Sequence, residues 1–223
     1  MKIGFVVAME NEYEPFLPSL GELVLSERVA GMEFCVYSDN NREIVLAKCG
    51  IGEIAAAAAT ALLVGKYACQ YIFNFGLVGS LDGRQEHSLV AVRDVVHYDS
   101  DLTAFGHPLG APADLPSPFI AADGALLAKL TKQGITAVRL ASGDKFIADE
   151  RLKNKIKSDF SANICDMEGA AVALTAARAG VPFTMIKLVS DGAGESAAES
   201  FEANKAKGFS FALSVVLSSF EEL

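Results

Sequence analysis

The chain has 223 residues, 51% of them hydrophobic, and a formal net charge of −9. That length suits one domain with ample material for a core. The acidic balance, without a basic cluster, argues against nucleic-acid backbones and anionic membrane surfaces, and no apolar run reaches the ~18 residues of a membrane span. The opening "KIGFVVA" (2–8) is a continuous apolar run, typical of a strand buried on both faces. Glu10 and Glu12 follow it too soon for a secretory signal. "NEYEPFLPSL" (11–20) reads as a helix with acids near its start. Residues 21–49 are apolar runs broken at Ala30-Gly31 and Asn40-Asn41, the pattern of an antiparallel meander. "GEIAAAAATALLVGKYA" (52–68) is a helix by propensity. Strands are expected over 71–81 and 88–98. Residues 99–118 hold four of the seven prolines and two glycines, which marks a long loop. Its Leu102, Phe105 and Leu109 argue that the loop is structured. Helices over 123–133, 149–158, 168–179 and near 199–220 then alternate with strands over 136–141, 162–166 and 183–190. The pattern predicts an α/β fold: a single domain over 1–223 with a mixed central β-sheet flanked by helices. The four cysteines, Cys35, Cys49, Cys69 and Cys165, form no CxxC pair and read as free thiols in the reducing cytoplasm.

In such sheets a ligand sits beyond the carboxyl ends of the strands. Four strand ends carry the informative polar residues: Met9 to Glu12, Gly76 to Ser80, Asp166-Met167-Glu168, and Ser190-Asp191. Each acid alone has an ordinary explanation, such as the helix macrodipole for Glu12 or a capped turn for Asp191. Several on one rim are costly unless one is protonated or they face different parts of a ligand. His87, His97 and His107 stand ten residues apart, outside any metal-ligand pattern, so neither a metal nor a cofactor is expected. Carboxylates without a metal suit cleavage at a sugar's anomeric carbon, whose transition state is cationic. If the leaving group is a purine, "SGDKFIADE" (142–150) supplies an aromatic platform in Phe146 and an apolar neighbour in Ile147.

The segments "KIGFVVAMENE", "GIGEIAAA", "DSDLTAFG", "SGDKFI", "DMEGAAVA" and "LVSD" resemble, in order and spacing, the purine nucleoside phosphorylase/hydrolase superfamily. Within it they are most similar to the bacterial 5'-methylthioadenosine/S-adenosylhomocysteine nucleosidases, over essentially the whole chain. The resemblance implies a three-layer α/β/α fold and hydrolysis of a purine nucleoside in methionine salvage. It implies that Glu12 activates water. Glu168 would bind the ribose hydroxyls and stabilise the cationic sugar, with Met167 beside it. Asp191, held by Ser190, would be the acid toward purine N7. Phe146 would stack on the base and the Ile147 backbone would read its edge, while Met9 lines the same site. Leu102, Phe105 and His107 would close the 5'-alkylthio pocket of a neighbouring subunit, which implies a homodimer. Asp166 is not a catalytic position of the family and is assigned a structural role.

Two positions depart from the family. Leu77 stands where the nucleosidases carry a small hydroxyl residue, and Lys187 where they carry an arginine. Leucine donates no hydrogen bond, and lysine lacks the bidentate fork. Both bear on substrate identity and rate. Phosphorolysis needs an anion site. The corresponding positions hold Phe73 and apolar residues, and Arg28, Arg42, Arg84 and Arg93 are expected away from the rim, which favours water. The alternatives are a nucleoside phosphorylase, a futalosine-type hydrolase, or a catalytically weak nucleoside-binding protein.

Overall fold

The computed structural model describes residues 1–39 and 42–204. The expected turn at Asn40-Asn41 and the last helix beyond Asn204 lie outside the described residues. The strands are β1 (Lys2–Val7), β2 (Glu22–Val29), β3 (Met32–Asp39), β4 (Arg42–Lys48), β5 (Tyr71–Ser80), β6 (Leu89–His97), β7 (Phe119–Ala121), β8 (Thr136–Ser142), β9 (Ile164–Asp166) and β10 (Phe183–Asp191). The helices are α1 (Glu10–Tyr13), α2 (Glu53–Gly65), α3 (Gly124–Lys132), α4 (Glu150–Phe160), α5 (Gly169–Arg178) and α6 (Ala197–Asn204).

Among the described residues the strands form a ten-stranded mixed sheet in the order β10-β6-β8-β9-β5-β1-β4-β3-β2, with β7 on β6. β10 also pairs with β5, so β5, β9, β8, β6 and β10 close on themselves. β1, β5 and β10 run parallel, while β9 runs against β5. The predicted meander is β2-β3-β4, all antiparallel. Its first turn has positive φ at both Ala30 (50°) and Gly31 (83°), the hand that suits a tight hairpin.

Period-two alternation splits the core. Ile3, Phe5 and Val7 of β1 pack with Phe73, Phe75, Ile186 and Leu188, and with Leu126 and Leu130 of α3. Val6 faces the other way, with Ala56, Ala59 and Leu63 of α2 and the alanine-rich α5. Helices thus cover both faces of the sheet. A Cβ at Gly4 would stand 3.1 Å from Leu63 Cδ1 and 3.0 Å from Ile72 Cδ1, so glycine lets α2 approach the strand closely.

The helix expected over 11–20 is shorter than its pattern suggested. α1 ends at Tyr13 and a 3₁₀ segment, Glu14–Ser19, takes over. Pro15 and Pro18 lack the N–H that an α-helix would need there. β7 was not foreseen; three residues leave too little pattern to read. The 99–118 segment carries a 3₁₀ turn at Thr103–Phe105, where Asp101 Oδ1 accepts from the Thr103 N–H at 2.9 Å. Asp114 ties the segment to Arg178 at the end of α5, at 2.7 and 2.8 Å.

Candidate active site

A cavity of about 300 Å³ opens where β1, β5 and β10 run side by side and β9 comes in against them. Its walls include Glu12, Glu168 and Asp191, which the chain separates widely. Glu12 is the third residue of α1, just past β1. Its Oε2 accepts from the Met9 N–H at 2.9 Å and its Oε1 from the Leu77 N–H at 3.0 Å. A Cβ at Gly76 would stand 3.2 Å from Glu12 Oε1, so glycine keeps this approach open. Burial pushes the Glu12 carboxyl up from its ordinary value, partly offset by those two N–H groups and by Lys187.

Glu168 stands just before the first residue of α5, and its Oε1 accepts from the Gly52 N–H at 2.8 Å rather than from the helix. Burial, then the negative charge of Asp166, push its carboxyl up to about 8, while Gly52 and Lys187 pull the other way. Asp191 ends β10. A register shift between Val189 and Asp191 leaves Ser190 as an extra residue against β5, a bulge that re-aims the strand end. Ser190 Oγ donates to Asp191 Oδ2 at 2.7 Å, and the Ala193 N–H donates to Oδ1 at 2.8 Å. Burial still raises the Asp191 carboxyl above its ordinary value. A Cβ at Gly79 would stand 3.0 Å from Asp191 Oδ1, so this glycine too makes room for a carboxylate.

Asp166 forms a buried ion pair with Lys187, Oδ2 to Nζ at 2.6 Å, each side chain 1% exposed. Its Oδ1 also accepts from the Gly169 N–H at 3.1 Å at the start of α5. Four carboxylates, Glu12, Asp166, Glu168 and Asp191, and the buried cation Lys187 therefore share this end of the sheet. The cation supports anionic forms of Glu12 and Glu168 without lining the cavity itself.

The family profile of the phosphorylase superfamily matches residues 2–221. The chain belongs to the phosphorylase superfamily. It is 34% identical over 226 residues to a 5'-methylthioadenosine/S-adenosylhomocysteine nucleosidase of Shewanella putrefaciens, covering 97% of each protein. An S-adenosylhomocysteine nucleosidase from Streptococcus pyogenes, solved in complex with 5-methylthiotubericidin, superposes with a TM-score of 0.93 at 28% identity, covering 100% of this chain and 97% of that one. A futalosine hydrolase mutant of Helicobacter pylori superposes equally well, TM-score 0.93 at 30% identity, covering 100% of both chains. Within the superfamily this member is nucleosidase-like along its whole length.

Of the expected contact residues, Met9, Leu77, Phe146, Ile147, Met167 and Ser190 line the cavity of this superfamily member. Lys187 is not on the wall. It lies behind it, paired to Asp166, because a fully buried β10 turns the side chain toward β5 and β9. Leu102, Phe105 and His107 do not line the cavity of their own chain, and Phe105 is 81% exposed. Sequence reasoning missed Ile51, Lys145, Cys165 and Phe201 as wall residues, and Asp166, assigned a structural role, also lines the cavity while pairing with Lys187. Phe201 meets Phe146 edge-on, ring centroids 5.8 Å apart, although 55 positions separate them (201 − 146). No local signal announces such a pair.

Proposed function

We propose that this chain hydrolyses the N-glycosidic bond of a purine nucleoside, 5'-methylthioadenosine or S-adenosylhomocysteine, releasing adenine and the 5'-modified ribose. The observation that carries this is the arrival of Glu12, Glu168 and Asp191 on one cavity whose outer wall is Phe146. Asp191, whose affinity for a proton is raised, protonates N7 of the base. The C1'–N9 bond then breaks with its electron pair on the purine. Glu168 holds the ribose hydroxyls and, in its ionised form, offsets the positive charge on the sugar. Water adds to C1' and gives its proton to Glu12, a buried carboxylate more basic than an exposed one. Phe146 and Ile147 hold the base, and Met9 and Met167 pack against the sugar. Leu77 contributes its backbone N–H to Glu12, so the missing side-chain hydroxyl leaves the base anchored. Among the described residues Lys145 is the one cation on the cavity wall and no arginine joins it, which favours water over phosphate as the nucleophile.

We further propose one domain over 1–223, working in the cytoplasm within methionine salvage. The four free cysteines suit a reducing compartment. The protein is proposed to be a homodimer in which residues 99–118 complete the partner's 5' pocket. The exposure of Phe105, and of Ile51 on the cavity wall (61%), supports that assembly.

The test is base release from 5'-methylthioadenosine, S-adenosylhomocysteine, adenosine and futalosine, each with and without phosphate. Adenine release from the first two without phosphate is expected. Release only with phosphate would establish a phosphorylase. Preference for futalosine would establish the second reading, which the Helicobacter pylori superposition motivates. Thermal stabilisation by a nucleoside without turnover would establish a binding protein.

A further inference from the structure

A second cluster of titratable groups lies outside the cavity, at the start of α2. His97 ends β6, and its Nε2 stands 2.8 Å from Glu53 Oε2 and 2.9 Å from Asp99 Oδ1. Glu53 opens α2, and its N–H donates to Asp144 Oδ1 at 2.8 Å. The preceding N–H, from Gly52, is the one that donates to Glu168 Oε1. Gly52 holds φ 102°, and a Cβ there would stand 2.8 Å from Asp144 Oδ1. One helix start therefore gathers three pieces. These are the Glu168 carboxylate, the turn that leads through Asp144 to Phe146, and the strand that leads through His97 into 99–118.

We propose that His97 is a positioning residue for Glu168: it clasps Glu53 and Asp99, and so holds the start of α2 where the Gly52 N–H meets the Glu168 carboxylate. This rests on Glu168 being the sugar-binding carboxylate of the proposed reaction. The charged groups facing His97 are Glu53 from α2, Asp99 from the chain after β6 and Asp144 from the turn after β8. All three are acids. The Glu53 hydrogen bond foremost, then the three negative charges, raise the proton affinity of His97, against an opposing effect of partial burial. The charged clasp is therefore complete on the acid side and weakens as pH rises through the elevated His97 value. Neutral imidazole keeps one donor but loses the charge assistance.

The experiment compares wild type with His97→Gln and His97→Arg. It follows adenine release from 5'-methylthioadenosine across pH, and binding of that nucleoside by calorimetry in an Asp191→Asn background. In His97→Gln, kcat/KM at neutral pH should fall roughly tenfold, since small misplacements of a catalytic group carry costs of that order. Binding should weaken in step. The acid limb of the profile should move to higher pH, because a looser Gly52 contact no longer favours the Glu168 carboxylate. The permanent charge of His97→Arg should recover most of both. An unchanged acid limb in His97→Gln, even with a lowered melting temperature, would make the cluster a structural ion pair and overturn the proposal. Stabilisation of wild type by zinc or manganese that vanishes in His97→Gln would overturn it in favour of a metal site. If wild type neither cleaves nor binds a purine nucleoside, the reading of the cavity fails and the clasp with it. If wild type does both and His97→Gln is indifferent, only the clasp fails.

Discussion

Glu168 is a carboxylate whose protonation is set by its surroundings. Its folded value, about 8, lies above the ordinary 4.5. Between those values the folded protein keeps a proton that the unfolded chain has released, so stability falls as pH climbs through that window. Glu168→Gln cannot ionise and escapes this loss. Its melting temperature should match wild type near pH 4.5 and exceed it above pH 8 by roughly ten degrees. Calorimetry across pH reads the gap, and curves that stay parallel would refute the burial account of Glu168. Asp191 offers the sharper kinetic test. Asp191→Asn keeps the shape of the side chain and its contact with the Ala193 N–H, but has no proton to give to N7. Turnover should drop by roughly 10²–10⁴ with circular dichroism unchanged and the melting temperature not lowered. Near-normal adenine release from this variant would remove Asp191 from the mechanism.

At the scale of elements, the site depends on how β5 and β10 lie together. Gly76 pairs with Lys187 and Gly79 with Asp191 across that parallel pair, so both glycines sit opposite charged residues. Lys187 is enclosed between these strands and β9, where it pairs with Asp166. Lys187→Met would leave Asp166 buried without its cation, at a cost of about 3–5 kcal/mol. Denaturant melts measure this, and a loss below about 1 kcal/mol would mean that Asp166 tolerates isolation there. Much at this scale was legible in the residues. The apolar run of β1, the alanine-rich α2 and the Ala30-Gly31 turn each state their conformation locally. The helix expected over 11–20 was not, because its amphipathic acids and leucines mask two prolines that exclude an α-helix. β7 and the Ser190 bulge carry no local pattern; pairing with a distant strand creates them.

For the whole molecule, the closing of β5, β9, β8, β6 and β10 into a ring is what brings residues 12, 168 and 191 to one cavity. Ring closure also curves the sheet so that β9, running against β5, delivers Glu168 to the wall that β1 and β10 already share. The proposed dimer belongs to this scale as well. Sedimentation velocity should show two copies. Phe105→Ser should shift the protein toward monomer and raise KM for 5'-methylthioadenosine roughly tenfold, as loss of an aromatic interface anchor does. A monomeric wild type with full activity would sink that assembly.

The sequence by itself determined the α/β class and most element positions, and put Glu12, Asp166, Glu168 and Asp191 at strand ends; setting Asp166 apart from the other three came from the family resemblance. Those signals are local: apolar periodicity, glycine and proline placement, and acids at strand ends. Only the tertiary structure decided that Lys187 lies behind the wall and pairs with Asp166 on it, that Phe201 faces Phe146, and that His97 reaches the α2 start that holds Glu168. Each of these is a contact between residues far apart in the chain, and strand pairing and burial set it rather than the residues alongside.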